Sequence, residues 1–425
     1  MSFNRAQVAI IRAHSPDRFV THNFMALTQE FDHFALAQDL DFASWDSYPL
    51  VMVERFPFGD AERDRWAFTS HPDIAAFHHD LYRGIGRGRF WVMEQQPGPA
   101  NWAPWNPAPL PGMVRLWTWE ALAHGAEVVS YFRWRQCPFA QEQMHSGLNL
   151  PDRALARGGQ EAGRVGRELR GLALPASQRA AVALVFDYEA AWITRLQPHG
   201  ADFNYALLAF RWYEAARRLG FDLDIVGAGT PLAGYRAVLV PTLPYVSDAA
   251  LAAFAGYEGP ILFGPRSGSK TCSFQVPDTL PPGPLQDMLP LRVTEVASLR
   301  PGLAAPVAGE GISGRAERWR ERLTTELPAL ASFDDGAPAL VQAGSRHYLA
   351  CWPDQDLLAA ILEYLLVRLA GLSATALPPH VRLRRRGDLT FAFNYGPEPW
   401  QCPVDGDYLL GSPSLAPQDL ACWRA

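Results

Sequence analysis

Short apolar runs alternate with stretches of helical spacing through the first part of the chain, and this alternation predicts strand–helix units. Residues 18–25 read as a strand and 31–39 as a helix; 41–49 read as a second strand, ended by Pro49. A connection rich in His and Asp leads to a helix over 72–82. The third strand covers 89–94 with a helix at 113–124 behind it, and the fourth covers 127–134 with a helix at 160–170. Four such units, with polar and aromatic residues at the strand ends, predict a parallel barrel or a doubly wound sheet. A closed eightfold barrel needs twice that number. The opening residues, 3–12, read as a helix entered midway, so the expectation is the back half of a barrel.

After Pro175 the pattern restarts. Residues 180–187 form a continuous apolar strand, and 204–219 an amphipathic helix stopped at Gly220. Strands at 221–226, 237–240 and 260–263, with a Ser-capped helix at 247–257, predict a second, Rossmann-like α/β domain. It carries neither a Gly-x-Gly-x-x-Gly nor a Walker loop, and the 264–269 turn reads as a plain loop. Residues 277–284 read as a Pro/Gly-rich surface loop. From about residue 377 onward, short alternating runs separated by turn residues predict a small antiparallel β-domain. The expected divisions are 1–174, 175–375 and 376–425. The Arg384-Arg385-Arg386 run reads as the solvated face of a strand, and His78-His79-Asp80 as the solvated face of a helix, since adjacent histidines diverge and make a poor metal pair.

Composition narrows the classes. At 425 residues the chain is long enough for two or three cores. A net charge of -6 argues against a nucleic-acid surface. Lys270 is the single lysine, a bias of composition rather than a design for phosphate. Five scattered cysteines without a Cys-x-x-Cys pair suit a reducing compartment and argue against a zinc site in this chain. No apolar run reaches membrane-spanning length and no signal-like N-terminus is present, so a cytoplasmic protein with no membrane partner is expected. The 14 Trp suit sugar faces, and a large core uses them as well.

The most informative stretch runs from Phe90 to Trp102. A short β-prone run delivers Glu94 to a Pro/Gly turn with aromatics close behind. A carboxylate at the C-terminal end of a buried strand, facing aromatic platforms, is how glycoside hydrolases hold a nucleophile under a sugar; a solvated strand-end Glu shows the same local pattern.

Five blocks in order carry a resemblance: residues 20–25 (VTHNFM), 41–49 (DFASWDSYP), 94–102 (EQQPGPANW), 131–136 (YFRWRQ) and 142–147 (EQMHSG). Together they resemble the C-terminal part of a glycoside hydrolase family 42 β-galactosidase. The resemblance implies a partial (β/α)8 TIM barrel, a Rossmann-like trimerisation-type domain and a small β-domain. It implies retaining hydrolysis of terminal β-D-galactosides, with Glu94 as nucleophile and Trp102, Glu142, His145, Tyr48 and Phe132 around the sugar. For Phe132, core packing fits equally well. No cofactor is implied for this chain, any family zinc site being expected in an N-terminal part that is missing here. The implied partners are the β-galactoside and, with the barrel completed, two further copies in a homotrimer. One departure stands out: the family's acid/base lies in an Asn-Glu dipeptide, and this sequence contains none. Glu30 and Glu54 are spare carboxylates outside any matching context. The alternative expectation is a catalytically inactive sugar-binding or assembly remnant.

Overall fold

A computed structural model describes residues 1–26, 28–404 and 406–424. The chain divides into two compact units, one formed by residues 1–179 with 377–425 and the other by 180–376.

In the first unit, strands β1 (Asn23–Met25), β2 (Ala43–Ser47), β3 (Phe90–Gln95) and β4 (Val128–Tyr131) lie side by side in sequence order, every pair parallel. Helices α1 (Ser2–His14), α2 (His33–Ala37), α3 (Pro49–Arg55), α4 (Asp60–Trp66), α5 (Ile74–Ile85), α6 (Met113–Ala123) and α7 (Arg157–Leu169) precede, connect and follow them. This is the expected four-unit arc of a β/α barrel. β2 is buried along its whole length, as a parallel strand covered on both faces must be. The first strand is shorter than its apolar run suggests. The Val20 amide donates to the Asp41 carboxylate at 2.6 Å and Thr21 Oγ1 to the Phe42 carbonyl, so side-chain contacts satisfy the segment ahead of β1. α1 is amphipathic and has no buried residue; Phe3 and Ile10 are exposed, and Arg5 and Arg12 tether the helix to Asp39 and Asp41.

In the second unit, β5 (Val182–Val185) is followed by α8 (Tyr188–Leu196) and α9 (Tyr205–Arg218), then β6 (Leu223–Val226), β7 (Ala237–Val240), α10 (Asp248–Ala255) and β8 (Ile261–Phe263). The parallel order β6-β5-β7-β8 is the Rossmann-like arrangement the apolar runs predicted. Asp187, Asn204 and Ser247 cap their helices by accepting the amide three residues on. Gly220 takes the positive φ of a helix stop, where a Cβ would strike the Thr375 carbonyl. Strands β9 (Leu291–Ser298), β10 (Ala304–Gly309), β11 (Ile312–Thr325), β12 (Ala329–Phe333), β13 (Pro338–Ala343), β14 (Arg346–Leu349) and β15 (Cys351–Pro353) then extend the sheet, β14 joining β8. Helix α11 (Gln355–Leu362) follows.

The chain returns to the first unit with β16 (Val381–Arg386), β17 (Leu389–Asn394), β18 (Trp400–Gln401), β19 (Tyr408–Leu410), β20 (Ser414–Leu415) and β21 (Asp419–Arg424). Strands β16, β17, β21 and β19 form an antiparallel sheet, and β18 pairs with β20. The sheet packs on α6, and its β16 arginines reach Asp73 at the N-terminus of α5 and Asp80 within it.

That packing corrects two expectations. His78, His79 and Asp80 are buried rather than solvated. Burial lowers the two histidines to about 4 and about 3, so both are neutral, His78 bonding the Ile74 carbonyl and His79 meeting the Trp45 ring edge-on. The arginine run is likewise not a solvated face: Arg382 and Arg384 are buried, and of the triple only Arg385 is exposed. Arg382 closes a fork on Asp73, and Arg384 meets Asp80, which also accepts from Arg83 at 2.8 Å and His124 at 2.9 Å. Helical amphipathicity assumes one face in water; here β16, some 300 residues away in sequence, covers that face.

Candidate functional site

The strand ends of β2 and β3 hold the site. Asp46 and Glu94 are register partners across the β2–β3 ladder, with a bulge just before them. Tyr48 follows β2 at the N-cap position of α3, where Pro49 takes the first helical position. The Tyr48 hydroxyl donates to Glu94 Oε2 at 2.7 Å. Burial, then this bond to Glu94, raises the phenol, so Tyr48 remains a donor. Gln96 fixes the turn after the carboxylate: its Oε1 accepts from the Leu50 amide and its Nε2 donates to the Gly98 carbonyl. Gly98 is required, since a Cβ there would lie 2.8 Å from Ser146 Oγ on the loop that carries His145.

Aromatic rings wall the half-buried Glu94. Tyr48 and Trp102 meet edge-on at 5.3 Å, Tyr48 and His145 at 5.6 Å, and Phe132 and His145 at 5.0 Å. Arg55 lies over the Trp102 ring at 5.3 Å and donates to its carbonyl, which fixes that platform. His145 is 1% exposed, and neither ring nitrogen has a partner among the described residues. Burial lowers it, Glu142 pulling upward and Arg133 downward, so the imidazole is neutral, with one donor and one acceptor to offer. Glu142 sits at the rim, bonded to Arg133 Nη2 at 2.7 Å, while that guanidinium also covers Phe132. The 142–145 segment is a turn, not a helix.

The structure thus brings Glu94, Tyr48, Trp102, Phe132 and His145 together and leaves Glu142 half-exposed beside them. Phe132 packs against the cluster of Tyr48, Val51 and Ala100, so its ring serves the wall and the local core at once. Glu30 is exposed, with Oε2 taken by the Gln29 amide. One residue escaped sequence reasoning. Asp46 is buried beside Glu94, and Asn23 of β1 donates to its Oδ2 at 3.0 Å. Burial, then the charge of Glu94, pushes its carboxyl up to about 8 against the pull of Asn23. The signal was the one charged residue of β2, two residues ahead of Tyr48.

Comparisons with known proteins bear on what this arrangement is. The profile of glycoside hydrolase family 42 β-galactosidases matches residues 1–172, and that of the β-galactosidase trimerisation domain matches 180–373. A β-galactosidase of Thermus thermophilus is 59% identical over the whole of this chain, and the chain spans 66% of that protein's length. Solved structures of β-galactosidases from the psychrophile Marinomonas ef1 and the haloarchaeon Halorubrum lacusprofundi superpose with TM-scores of 0.97 and 0.95, at 44% and 35% identity. Each aligns with all of this chain and 66% of its own. By sequence along both units and by fold throughout, the chain belongs to the β-galactosidases of glycoside hydrolase family 42.

Proposed function

We propose that this chain carries the nucleophile and sugar-binding side of a retaining β-galactosidase site. The observation that supports this most is the half-buried Glu94 at the C-terminal end of β3, oriented by the Tyr48 hydroxyl and walled by Trp102, Phe132 and His145. In this reading Glu94 attacks the anomeric carbon of a terminal β-D-galactoside, and its Oε–C1 bond replaces the bond to the aglycone oxygen. Water then hydrolyses the glycosyl ester with a second inversion, giving net retention. Tyr48 holds the attacking carboxylate in line. The free nitrogens of His145 and the rim carboxylate of Glu142 take sugar hydroxyls, and Trp102 stacks on the apolar sugar face. The chemistry calls for no cofactor from these residues.

The proton for the leaving oxygen needs a second carboxyl about 5 Å from the nucleophile. With no Asn-Glu dipeptide in this chain, a further segment or a neighbouring chain supplies it in our reading. The match to a trimerisation domain supports a homotrimer as the working assembly. Five free cysteines support a reducing, cytoplasmic setting. No helix among the described residues is long and apolar enough to cross a membrane.

Two aryl β-galactosides, one with a nitrophenolate and one with a poor leaving group, test the proposal beside a Glu94→Ala control. Loss of the general acid alone costs about 10²–10⁴-fold and falls hardest on the poor leaving group. Turnover of the activated substrate that disappears in the control supports Glu94 as nucleophile. Galactose binding without turnover of either substrate would favour a binding remnant, a second reading that the unpartnered His145 nitrogens also support.

A further inference from the structure

Two carboxyls side by side on neighbouring parallel strands form an uncommon floor for a site. Asp46 lies opposite Met25 of β1 on one side and Glu94 of β3 on the other, so both acids rise from the same level of the sheet. Asp46 is 6% exposed, its Oδ2 is held by the Asn23 amide, and its Oδ1 is buried without a partner among the described residues. The titratable groups whose charge bears on it are Glu94 on β3, Tyr48 at the start of α3 and Tyr82 on α5; His78 and His79 of α5 pack on the adjacent Trp45, and His22 and His33 meet Phe24 of β1. Burial keeps the histidines neutral and raises both phenols. Among the described residues no Arg or Lys pairs with Asp46. A charge there would face Glu94 with nothing to offset it.

We propose that Asp46 is a positioning residue that carries a proton beside Glu94, so that the pair holds one negative charge and that charge sits on Glu94. The inference rests on reading Glu94 as the nucleophile and adds how its charge is kept single. A neutral carboxyl leaves the anion undivided, and the bond from Asn23 to Oδ2 leaves Oδ1 the oxygen free to bear the proton. When Glu94 bonds to C1 and the aglycone oxygen departs with the electron pair, the charge on Glu94 is gone. Asp46 then releases its proton to water more readily, and regains it when hydrolysis restores the carboxylate.

Difference infrared spectroscopy on the full chain reads this proton directly. A protonated-carboxyl carbonyl band is expected in the native chain from about pH 5 to about pH 8, absent in Asp46→Asn. In Glu94→Gln the same band is expected to titrate at least about one pH unit lower, because a like charge has been removed. Circular dichroism checks folding; should Asp46→Asn fail to fold, the Glu94→Gln shift decides alone. No band in the native chain, or a midpoint unmoved in Glu94→Gln, would overturn the proposal. A band that behaves as expected while Glu94 never forms a sugar ester would instead sink the nucleophile reading and leave the protonated Asp46 standing.

Discussion

Two places in the first unit bury carboxylates, and they treat them in opposite ways. Beneath β16, Asp73 and Asp80 are fully buried and surrounded by donors: Arg382 on one, and Arg83, Arg384 and His124 on the other. Burial pushes Asp80 up, but those three neighbours outweigh it and hold it well below the usual carboxylate range. At the floor of the site, Asp46 is nearly as buried and has Asn23 and a second acid for company. The first arrangement closes a fold; the second stores an uncompensated group beside the residue proposed to do chemistry. Burial alone therefore does not separate structural from functional acids here, whereas the sign of their neighbours does.

The largest expected effect falls on the site. Glu94→Ala is expected to lower turnover of the activated galactoside by more than about 10³-fold while leaving the melting temperature near that of the native chain, which parallel kinetics and thermal melts check. The converse holds beneath β16. Asp73→Ala leaves the Arg382 guanidinium buried and unpaired, at a cost of about 3–5 kcal/mol in chemical denaturation, with no requirement for a change in sugar binding. Tyr48→Phe removes one hydrogen bond to the anion and is expected to slow glycosylation by about tenfold, or about 1.4 kcal/mol, with little change in stability.

The pH dependence of stability sharpens the contrast further. Asp80 loses its proton more easily in the fold than in the unfolded chain, so its stabilisation is present above about pH 4 and fades as the pH falls through its folded value. Asp46 runs the other way. The fold keeps its proton up to about pH 8 and the unfolded chain releases it near 3.8, so the folded state binds more protons in between and stability falls as pH rises. Asp46→Asn removes that slope and is expected to stabilise the chain by up to about 4 kcal/mol at neutral pH, with the gain vanishing near pH 4. Urea titrations of both forms at several pH values check it; parallel slopes would mean Asp46 is ionised in the fold.

Much of this was legible in the sequence. The apolar and helical rhythms placed β2 to β4 and the parallel core of the second unit; β2, β5 and β7 are buried along their whole length, as parallel strands covered on both faces are. Glu94 and Trp102 stood out because a strand end, a Pro/Gly turn and aromatics are local features. His78, His79, Arg382 and Arg384 did not, because what buries them is each other's element, joined only in three dimensions. Asp46 was in plain view inside a quoted block. Its meaning depends on which residue lies opposite across the ladder, and the register of parallel strands cannot be read from either strand alone.

The central claim is that Glu94 forms a covalent bond to the sugar, and trapping that bond tests it most directly. A fluorinated β-galactoside with a dinitrophenolate leaving group needs no general acid to react, so the test does not depend on the missing proton donor. After incubation, digestion and mass spectrometry, the account predicts a single fluorogalactosyl adduct on the peptide that carries Glu94, absent from Glu94→Ala. An adduct on another carboxylate, or none while the sugar demonstrably binds, would contradict it.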